Sequence, residues 1–199
     1  MVWLLIFALS YLIGSIPSGY LVARSKGVDI RQRGSSNIGA ANVARVMGKN
    51  WGYLVGLCDF LKGFLSTKLG FLIASHFLLS SVLGSVIAAI ASILGHNYPV
   101  WLGFKGGKGV ATYIGVLLGL AWPIALAFCL VWLAAAALTR YSSLAALVAS
   151  AAAPVLLWIT GARREALLFA LLTALLWIMH RGNIVRLRQG TESRIGQSV

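Results

Sequence analysis

The sequence predicts an all-α membrane protein with seven transmembrane helices, its N-terminus outside the cell and its C-terminus inside. Of the 199 residues, 59% are hydrophobic and only 11% are charged, whereas soluble domains carry about 25% charged residues. Seventeen lysines and arginines against four acidic residues give a net charge of +13, and these cations lie between long apolar runs. Both observations predict a polytopic protein with a single domain over residues 1–199.

The apolar runs predict where the chain crosses the bilayer, because each crossing needs about 20 apolar residues. Residues 2–22 form the first run, in which Gly14 and Pro17 predict a kink or break. Residues 110–138 carry no charge and are too long for one comfortable span, so we predict a break at Gly119 and Pro123. The remaining spans are predicted at residues 51–73, 77–94, 144–160 and 165–179.

The distribution of positive charge favours this count of spans. With the break, 13 lysines and arginines face the cytoplasm and three face outside, while Lys62 stays within its span; without the break, the division is ten against six. Cytoplasmic loops carry the excess of lysine and arginine, so we predict seven spans. Asp59 and Lys62 lie three residues apart on one helix face, and we interpret them as a structural ion pair.

The surplus of cations predicts an anionic partner. A nucleic-acid-binding protein needs a polar fold to display its charge, and here almost every residue outside the gaps is apolar. We therefore expect contacts with anionic membrane lipid or an anionic substrate, and none with nucleic acid. Cys58 and Cys129 fall in apolar runs without a CxxC pattern, which predicts neither a disulfide framework nor a metal site.

Residues 95–112, GHNYPVWLGFKGGKGVAT, predict a loop that holds an anion. The glycines leave the backbone unobstructed, so several N–H groups can converge on one negative group, and Lys108 adds a full charge. The loop is not a Walker A motif, because Gly103 to Gly107 is one residue short and Gly109 follows the lysine. A flexible interfacial hairpin whose lysines contact lipid phosphates explains this stretch equally well.

Two further segments have the same character. Residues 34–45, GSSNIGAANVAR, predict a short interfacial helix that is capped by Ser or Asn and ends at Gly48. Residues 180–192 are HRGNIVRLRQGTE, and the seven-span prediction brings all three segments to the cytoplasmic face. Converging cations and backbone donors suit a substrate with several negative charges, whereas metal catalysis is disfavoured because Glu192 is the only acidic residue near the third segment.

These segments, with DFLKG at 59–63 and RYSSLAAL at 140–147, strongly resemble the bacterial acyl-phosphate:glycerol-3-phosphate acyltransferases over nearly the whole chain. The resemblance implies an inner-membrane enzyme that moves a fatty acyl group from acyl phosphate to the 1-hydroxyl of sn-glycerol 3-phosphate. Its products are lysophosphatidic acid and phosphate, in the first acylation of phospholipid synthesis, with no cofactor and no metal. In agreement, none of the three histidines is followed five residues later by Asp, the signature of acyltransferases with thioester donors.

The resemblance also implies roles for particular residues. His180 and Asn183 would orient the acceptor hydroxyl, while Lys108 and Ser35 would stabilise charge on the leaving phosphate and the tetrahedral oxyanion. We favour an anchoring role for His96 and a pairing of Glu192 with a nearby arginine, although both are among the binding candidates. The candidates for substrate binding are Ser36, Asn37, Arg45, His96, Lys105, Gly106, Gly107, Gly109, Thr112 and Glu192.

The sequence departs from the family pattern at Ala41, where Thr is common, and at Ser36, where Gly is frequent.

Two other classes of protein agree less well with the sequence. A transporter for organic anions needs ionisable residues along a path between both faces, and only Asp59 and Lys62 lie deep. A membrane scaffold does not need three glycine-rich basic segments. The arginines that follow His180 are interpreted as anchors to anionic lipid: Arg181, Arg186 and Arg188.

Overall fold

The computed structural model describes residues 1–197 and confirms the prediction of an all-α protein. Within these residues the chain forms ten α-helices, two short 3₁₀ turns at Ile30–Gln32 and Val100–Leu102, and no β-strand. The helices are α1 (Val2–Ser15), α2 (Ser18–Arg24), α3 (Ala40–Met47), α4 (Lys49–His76), α5 (Ser81–Asn97), α6 (Val110–Leu120), α7 (Trp122–Thr139), α8 (Ser142–Ile159), α9 (Arg163–Met179) and α10 (Arg181–Arg188).

The described chain divides into two compact units. Met1–Leu120 holds α1 to α6, and Ala121–Gln197 holds α7 to α10. The boundary falls at the break predicted near Gly119 and Pro123, since a single residue separates α6 from α7. The single domain over residues 1–199, whose last two residues lie outside the described range, stays a prediction.

Several helices are suited to a bilayer. Four segments are long and apolar enough to cross it, and a fifth qualifies if α9 and α10, which meet at a bend of 62°, count as one span. α4 extends over 28 residues, whereas α6 has only 11. Apolar helices of these lengths indicate a membrane protein; the count of seven spans and the orientation of the termini stay predictions. The four segments are Val2–Arg24, Ser81–Leu102, Trp122–Thr139 and Ser142–Ile159.

The first predicted span is broken, as its proline indicated. α1 ends at Ser15 and α2 begins at Ser18, so that Ile16 and Pro17 lie between the two helices. Backbone carbonyls at such a break need donors from the protein, because the bilayer core supplies no water. Lys62 Nζ of α4 donates to the Ile16 carbonyl at 3.0 Å. Its charge is balanced by Asp59, whose Oδ1 lies 2.9 Å from Nζ, which confirms the predicted ion pair.

The break between α6 and α7 has a donor of the same kind. The Gly119 carbonyl lies in the last turn of α6, which ends at Leu120, and therefore has no partner within that helix. Lys68 Nζ of α4 donates to that carbonyl at 3.1 Å. A lysine at the C-terminal end of a helix also interacts favourably with the helix dipole.

A proline inside α8 is matched by a hydroxyl from α9. Pro154 removes the backbone donor that the Ser150 carbonyl requires. Thr173 Oγ1 donates to this carbonyl at 2.8 Å, and Trp177 Nε1 donates to the Ser150 hydroxyl at 3.2 Å. The helix therefore continues through its proline without an unpaired carbonyl.

Small residues let α1 and α5 approach closely in the first unit. A Cβ on Gly14 would overlap the backbone of Ser92, and one on Gly95 would overlap the carbonyl of Tyr11. Contacts of this kind are typical of helices that pack in lipid. The hydroxyl of Tyr11 also donates to the carbonyl of Tyr98, just beyond the end of α5, at 2.7 Å. The loop after α5 is thereby held beside the last turn of α1.

Candidate active site

A buried amide organises the first glycine-rich segment. Asn42, at the start of α3, is only 2% exposed. Its Oδ1 accepts from the backbone N–H of Ser35 at 2.8 Å, and its Nδ2 donates to the carbonyls of Arg33 at 3.0 Å and Asn37 at 2.8 Å. A longer contact of 3.4 Å reaches the Ile30 carbonyl. The sequence analysis missed this residue, although a lone Asn between Ala and Val was a signal.

The helix of this segment begins differently from the prediction and ends as predicted. α3 begins after Gly39, and no side chain caps it, so the predicted Ser or Asn cap is wrong. Instead, Asn37 Oδ1 accepts from the N–H of Gly39 at 2.8 Å, before the helix begins. The helix ends at Gly48, whose φ of +102° favours glycine.

Three predicted site residues of this segment have side chains available for a ligand. Ser35 and Ser36 are exposed, and Ser36 holds a φ of +58°. Arg45 lies half-buried in the last turn of α3, without an ion pair to any residue in 1–197. Asn37 uses both of its oxygens within the loop, which leaves only its amide Nδ2 to face a phosphate.

The second segment is a tight loop bound to the end of α5. The N–H of Gly106 donates to the Asn97 carbonyl at 3.1 Å, and the N–H of Gly107 donates to the His96 carbonyl at 3.0 Å. Both backbone donors are engaged within the protein. This corrects the prediction that Gly106 and Gly107 present these groups to an anion.

Glycine is required here because His96 lies directly against the loop. A Cβ on Gly107 would overlap Nε2 of the imidazole, and one on Gly106 would overlap the His96 carbonyl. Gly109 has a φ of +82° and leads the chain into α6. The loop holds Lys108 half-buried between two buried glycines. The predicted cradle therefore reduces to this lysine and the turn that carries it.

The other predicted residues of this segment divide between surface and interior. Lys105 is exposed. His96 is 4% exposed, and its Nδ1 lies 3.7 Å from Asp59 Oδ1. Thr112 is fully buried in the first turn of α6, against Gly63 of α4. The interior position of His96 agrees with its interpretation as an anchor, and the role of His96 and Thr112 in binding substrate stays a prediction.

The first two segments are neighbours at one end of the first unit. Ile38 and Val43 of the first segment belong to a buried apolar cluster, and Leu102 of the second segment packs against it. Apolar contact of this kind holds the two loops side by side. The buried members of the cluster are Ala23, Ile30, Ile38, Val43 and Val55.

A carboxylate organises the third segment, which belongs to the second unit. Glu192 Oε1 accepts from Ser143 Oγ at 2.7 Å and from Asn183 Nδ2 at 2.6 Å. Its Oε2 accepts from Arg186 Nε at 2.7 Å. This confirms the predicted pairing with an arginine, which is Arg186, while the assignments of Glu192 to substrate binding and of Arg186 to anionic lipid stay predictions. Ser143 comes from the stretch at 140–147, where the sequence analysis assigned no role.

The charge of Glu192 is stabilised by these partners. Burial alone would raise its pKa, but the hydrogen bonds from Asn183, Ser143 and Arg186 outweigh burial and hold the pKa below its ordinary value. The carboxylate is therefore ionised at neutral pH. It fixes the orientation of the Asn183 amide, which is itself buried.

His180 lies at the bend between α9 and α10 and is 3% exposed. Its Nδ1 lies 2.8 Å from the Leu176 carbonyl. Because a carbonyl oxygen only accepts hydrogen bonds, Nδ1 carries the proton. A ring whose one proton is on Nδ1 has its acceptor lone pair at Nε2, and an imidazole in this tautomer can take a proton from a hydroxyl.

Three of the four carboxylates in the sequence pair with a cation. In the first unit, a side-chain hydrogen bond from Arg31 lowers the pKa of Asp29 to about 2. The net charge of +13 is thus left to attract anions. Across residues 1–197, no group of three or more His, Cys, Asp or Glu side chains is placed to hold a metal ion.

The apolar helices and the basic, glycine-rich loops define an integral membrane protein with a site suited to anions. The chain belongs to the glycerol-3-phosphate acyltransferase family, whose model matches residues 4–190. A glycerol-3-phosphate acyltransferase of Sinorhizobium fredii is 53% identical over 195 residues, which are 98% of this chain and 93% of the relative. One of Nitrobacter winogradskyi is 52% identical and covers 97% of this chain and 96% of its own length.

Two solved structures have the same fold. Both are crystal structures of PlsY (YgiH), described as an integral membrane glycerol 3-phosphate acyltransferase, and both are 40% identical to this chain. The glycerol 3-phosphate form has a TM-score of 0.90 and the lysophosphatidic acid form one of 0.88. Each comparison covers 98% of this chain and 96% of the other. The similarity confirms the predicted family and the membrane location.

Proposed function

We propose that this protein transfers a fatty acyl group from acyl phosphate to the 1-hydroxyl of sn-glycerol 3-phosphate. The products are lysophosphatidic acid and inorganic phosphate, and the reaction is the first acylation of phospholipid synthesis. The family and the two PlsY forms, with glycerol 3-phosphate and with lysophosphatidic acid, support the acceptor and the product. The observation that carries the proposal is the pair of neighbouring basic, glycine-rich loops, which suits substrates that each bear a phosphate.

The first unit supplies groups that bind phosphate. Ser35 and Ser36 present exposed hydroxyls, and Arg45 adds a cation with five donors. Lys108, held half-buried in the neighbouring loop, stabilises charge that develops on the leaving phosphate and on the tetrahedral oxyanion. Lys105 lies exposed beside it and attracts the phosphorylated substrates.

The second unit supplies groups that orient the acceptor. In this proposal the Asn183 amide, fixed by Glu192, and the imidazole of His180 position the 1-hydroxyl. The hydroxyl oxygen attacks the acyl carbonyl carbon, a new ester C–O bond forms, and the acyl–phosphate C–O bond breaks. The hydroxyl proton leaves to a phosphate oxygen of the donor or to His180 Nε2.

The proposal includes an arrangement in the membrane. Seven spans, formed by α1–α2, α4, α5, α6, α7, α8 and α9, would cross the inner membrane with the N-terminus outside and the C-terminus in the cytoplasm. This arrangement puts 13 of the 17 lysines and arginines on the cytoplasmic side, in accord with the positive-inside rule. All three segments would then lie on the cytoplasmic side of the membrane, where soluble acceptor and membrane-borne donor are both accessible.

An assay with defined substrates tests the reaction. Purified protein is given palmitoyl phosphate and labelled glycerol 3-phosphate, and lysophosphatidic acid and released phosphate are measured. We expect equal amounts of the two products and no product when palmitoyl-CoA replaces palmitoyl phosphate. The absence of lysophosphatidic acid, or equal use of the thioester, would overturn the proposal.

A labelling experiment tests the shared face. In a Cys58→Ser/Cys129→Ser background, single cysteines replace exposed residues of the second segment and the tail, as Trp101→Cys and Gln197→Cys. We expect a membrane-impermeant maleimide to label both only after the inner membrane is opened. Labelling of the two positions from opposite sides would exclude a shared site.

A further inference from the structure

Asp59, Lys62 and His96 form a buried cluster that the proposed chemistry leaves unused. Lys62 Nζ lies 2.9 Å from Asp59 Oδ1, and the same oxygen lies 3.7 Å from His96 Nδ1. The three side chains are 4–6% exposed. Removing two charges from water is so unfavourable that apolar residues of similar volume often serve stability as well or better. Packing alone therefore does not explain why the first unit carries these groups.

The cluster touches the loop that carries Lys108. The ring of His96 lies between Asp59 and the loop, with Nδ1 towards the carboxylate and Nε2 against Gly107. The His96 carbonyl also accepts from the Gly107 N–H at 3.0 Å. A rotation of the imidazole would therefore displace Gly107 and the adjacent Lys108, because no space separates ring and backbone.

We propose that Asp59 is a positioning residue of the acyltransferase site. Its carboxylate lies 3.7 Å from Nδ1, in electrostatic contact and beyond hydrogen-bond distance, and thereby favours the orientation of the His96 ring in which Nε2 rests against Gly107, next to Lys108. Lys62 balances the carboxylate and holds the broken end of α1 through the Ile16 carbonyl at 3.0 Å. Asp59 touches no substrate in this scheme. The inference rests on the proposed function, since its effect is measured in that reaction.

Two double variants separate positioning from charge balance. Asp59→Asn/Lys62→Met and Asp59→Leu/Lys62→Met both remove the two buried charges, and both lose the donor to Ile16. They differ at one point, because only the asparagine keeps an oxygen that faces His96 Nδ1. Thermal unfolding in detergent is measured together with kcat and KM for glycerol 3-phosphate, at a temperature well below both transitions.

We expect the asparagine variant to keep kcat per folded molecule within about threefold of the unmodified protein, and the leucine variant to lose at least about tenfold, because Lys108 acts on charge that develops in the transition state. The folded fraction is taken from size-exclusion chromatography in detergent, since a purely structural cluster would change that fraction and leave kcat per folded molecule the same in both variants. Equal kcat per folded molecule in the two variants would overturn the inference. If neither variant folds, His96→Gln and His96→Leu make the same comparison from the other side of the contact, and again equal kcat per folded molecule overturns it.

The unmodified protein is the control for the reaction itself. Without lysophosphatidic acid from the unmodified protein, the proposed function fails. With product from the unmodified protein and equal kcat per folded molecule in the paired variants, only the role of Asp59 fails. The two failures are therefore distinguishable in one series of measurements.

Discussion

The first and third segments are each closed by one buried polar side chain, but that side chain is neutral in one and charged in the other. Asn42 bonds only to backbone groups, so it fixes the course of a loop and leaves the hydroxyls of Ser35 and Ser36 exposed. Glu192 bonds to three side chains, so it fixes the orientation of Asn183 itself. The Asn42 amide suits a loop that presents groups to an anion, because it adds no negative charge. The Glu192 carboxylate suits the orientation of Asn183, because hydrogen bonds to a charged acceptor are stronger than those to a neutral one.

The largest effect is expected at Lys108, in the loop that neighbours the segment organised by Asn42. Lys108→Ala should lower kcat about 10²–10³-fold, because it removes a charged donor aimed at developing negative charge. Steady-state kinetics with palmitoyl phosphate measures this. The control is Lys49→Ala, at an exposed lysine of α4, which should leave kcat unchanged. If Lys108→Ala has the same kcat and KM as the unmodified protein, Lys108 is a lipid contact and has no part in the reaction.

A charge in place of the Asn42 amide tests directly whether this position must be neutral. Asn42→Asp keeps the shape of the side chain but offers no N–H to three carbonyls and adds a buried charge. We expect the unfolding free energy to fall by about 3 kcal/mol, from unsatisfied groups that each contribute about 1–3 kcal/mol. Thermal unfolding in detergent measures the change. Ala41→Ser, at the exposed neighbour, should leave stability unchanged, and equal losses in the two variants would contradict the role of Asn42.

Substitution of Glu192, the charged side chain of this comparison, should lower activity less than substitution of Lys108. Glu192→Gln keeps an acceptor for Asn183 but places an amide N–H₂ or a neutral oxygen against Arg186, which removes a charge-assisted bond of about 1.5–3 kcal/mol. We expect kcat to fall about tenfold, because a side chain that has lost its bond to Arg186 holds the Asn183 amide less firmly. The matched control is Glu165→Gln, in the first turn of α9, where only the favourable interaction with the helix dipole is lost. Activity that is equal in the two variants would argue against an orienting role.

The smallest effect is a difference in pH dependence between the two anchors. Since the folded pKa of Glu192 lies below its ordinary value of 4.5, its ionised form contributes stability above that value, and the contribution disappears as pH falls through the folded pKa. The gap in unfolding temperature between the unmodified protein and Glu192→Gln should therefore narrow from pH 7 to pH 4. The gap to Asn42→Ala should stay constant, because that network contains no titratable side chain. A constant gap for both would contradict the lowered pKa.

Much of the fold follows from local patterns in the sequence. Apolar runs predicted the long helices, Pro17 and Pro123 predicted both breaks, and the spacing of Asp59 and Lys62 predicted their ion pair. Each of these rests on residues close together in the chain. Long-range contacts were outside the reach of such patterns, and the donors at the breaks, such as Lys68, were accordingly not foreseen.

The candidate site shows the same limit. Composition identified the three segments, and the acidic residue of the third was correctly paired with an arginine. Composition does not show which donors the fold itself uses, so Gly106 and Gly107 were assigned to an anion although their N–H groups bind the end of α5. The place of Asn42 at the centre of a loop also depends on how the backbone folds back upon it. The glycines predicted backbone donors that converge on an anion, whereas in the structure close packing against His96 requires glycine at 106 and 107.

One proline makes a helix depend on its neighbour. Pro154 leaves the Ser150 carbonyl without its helical partner, and the missing hydrogen bond comes from Thr173 on α9. The interior of a helix in lipid has no water to replace that bond, so Pro154 and Thr173 depend on each other although they lie on different helices. A substitution that removes the Thr173 hydroxyl would leave the carbonyl unpaired, and replacing Pro154 would restore a backbone donor to it.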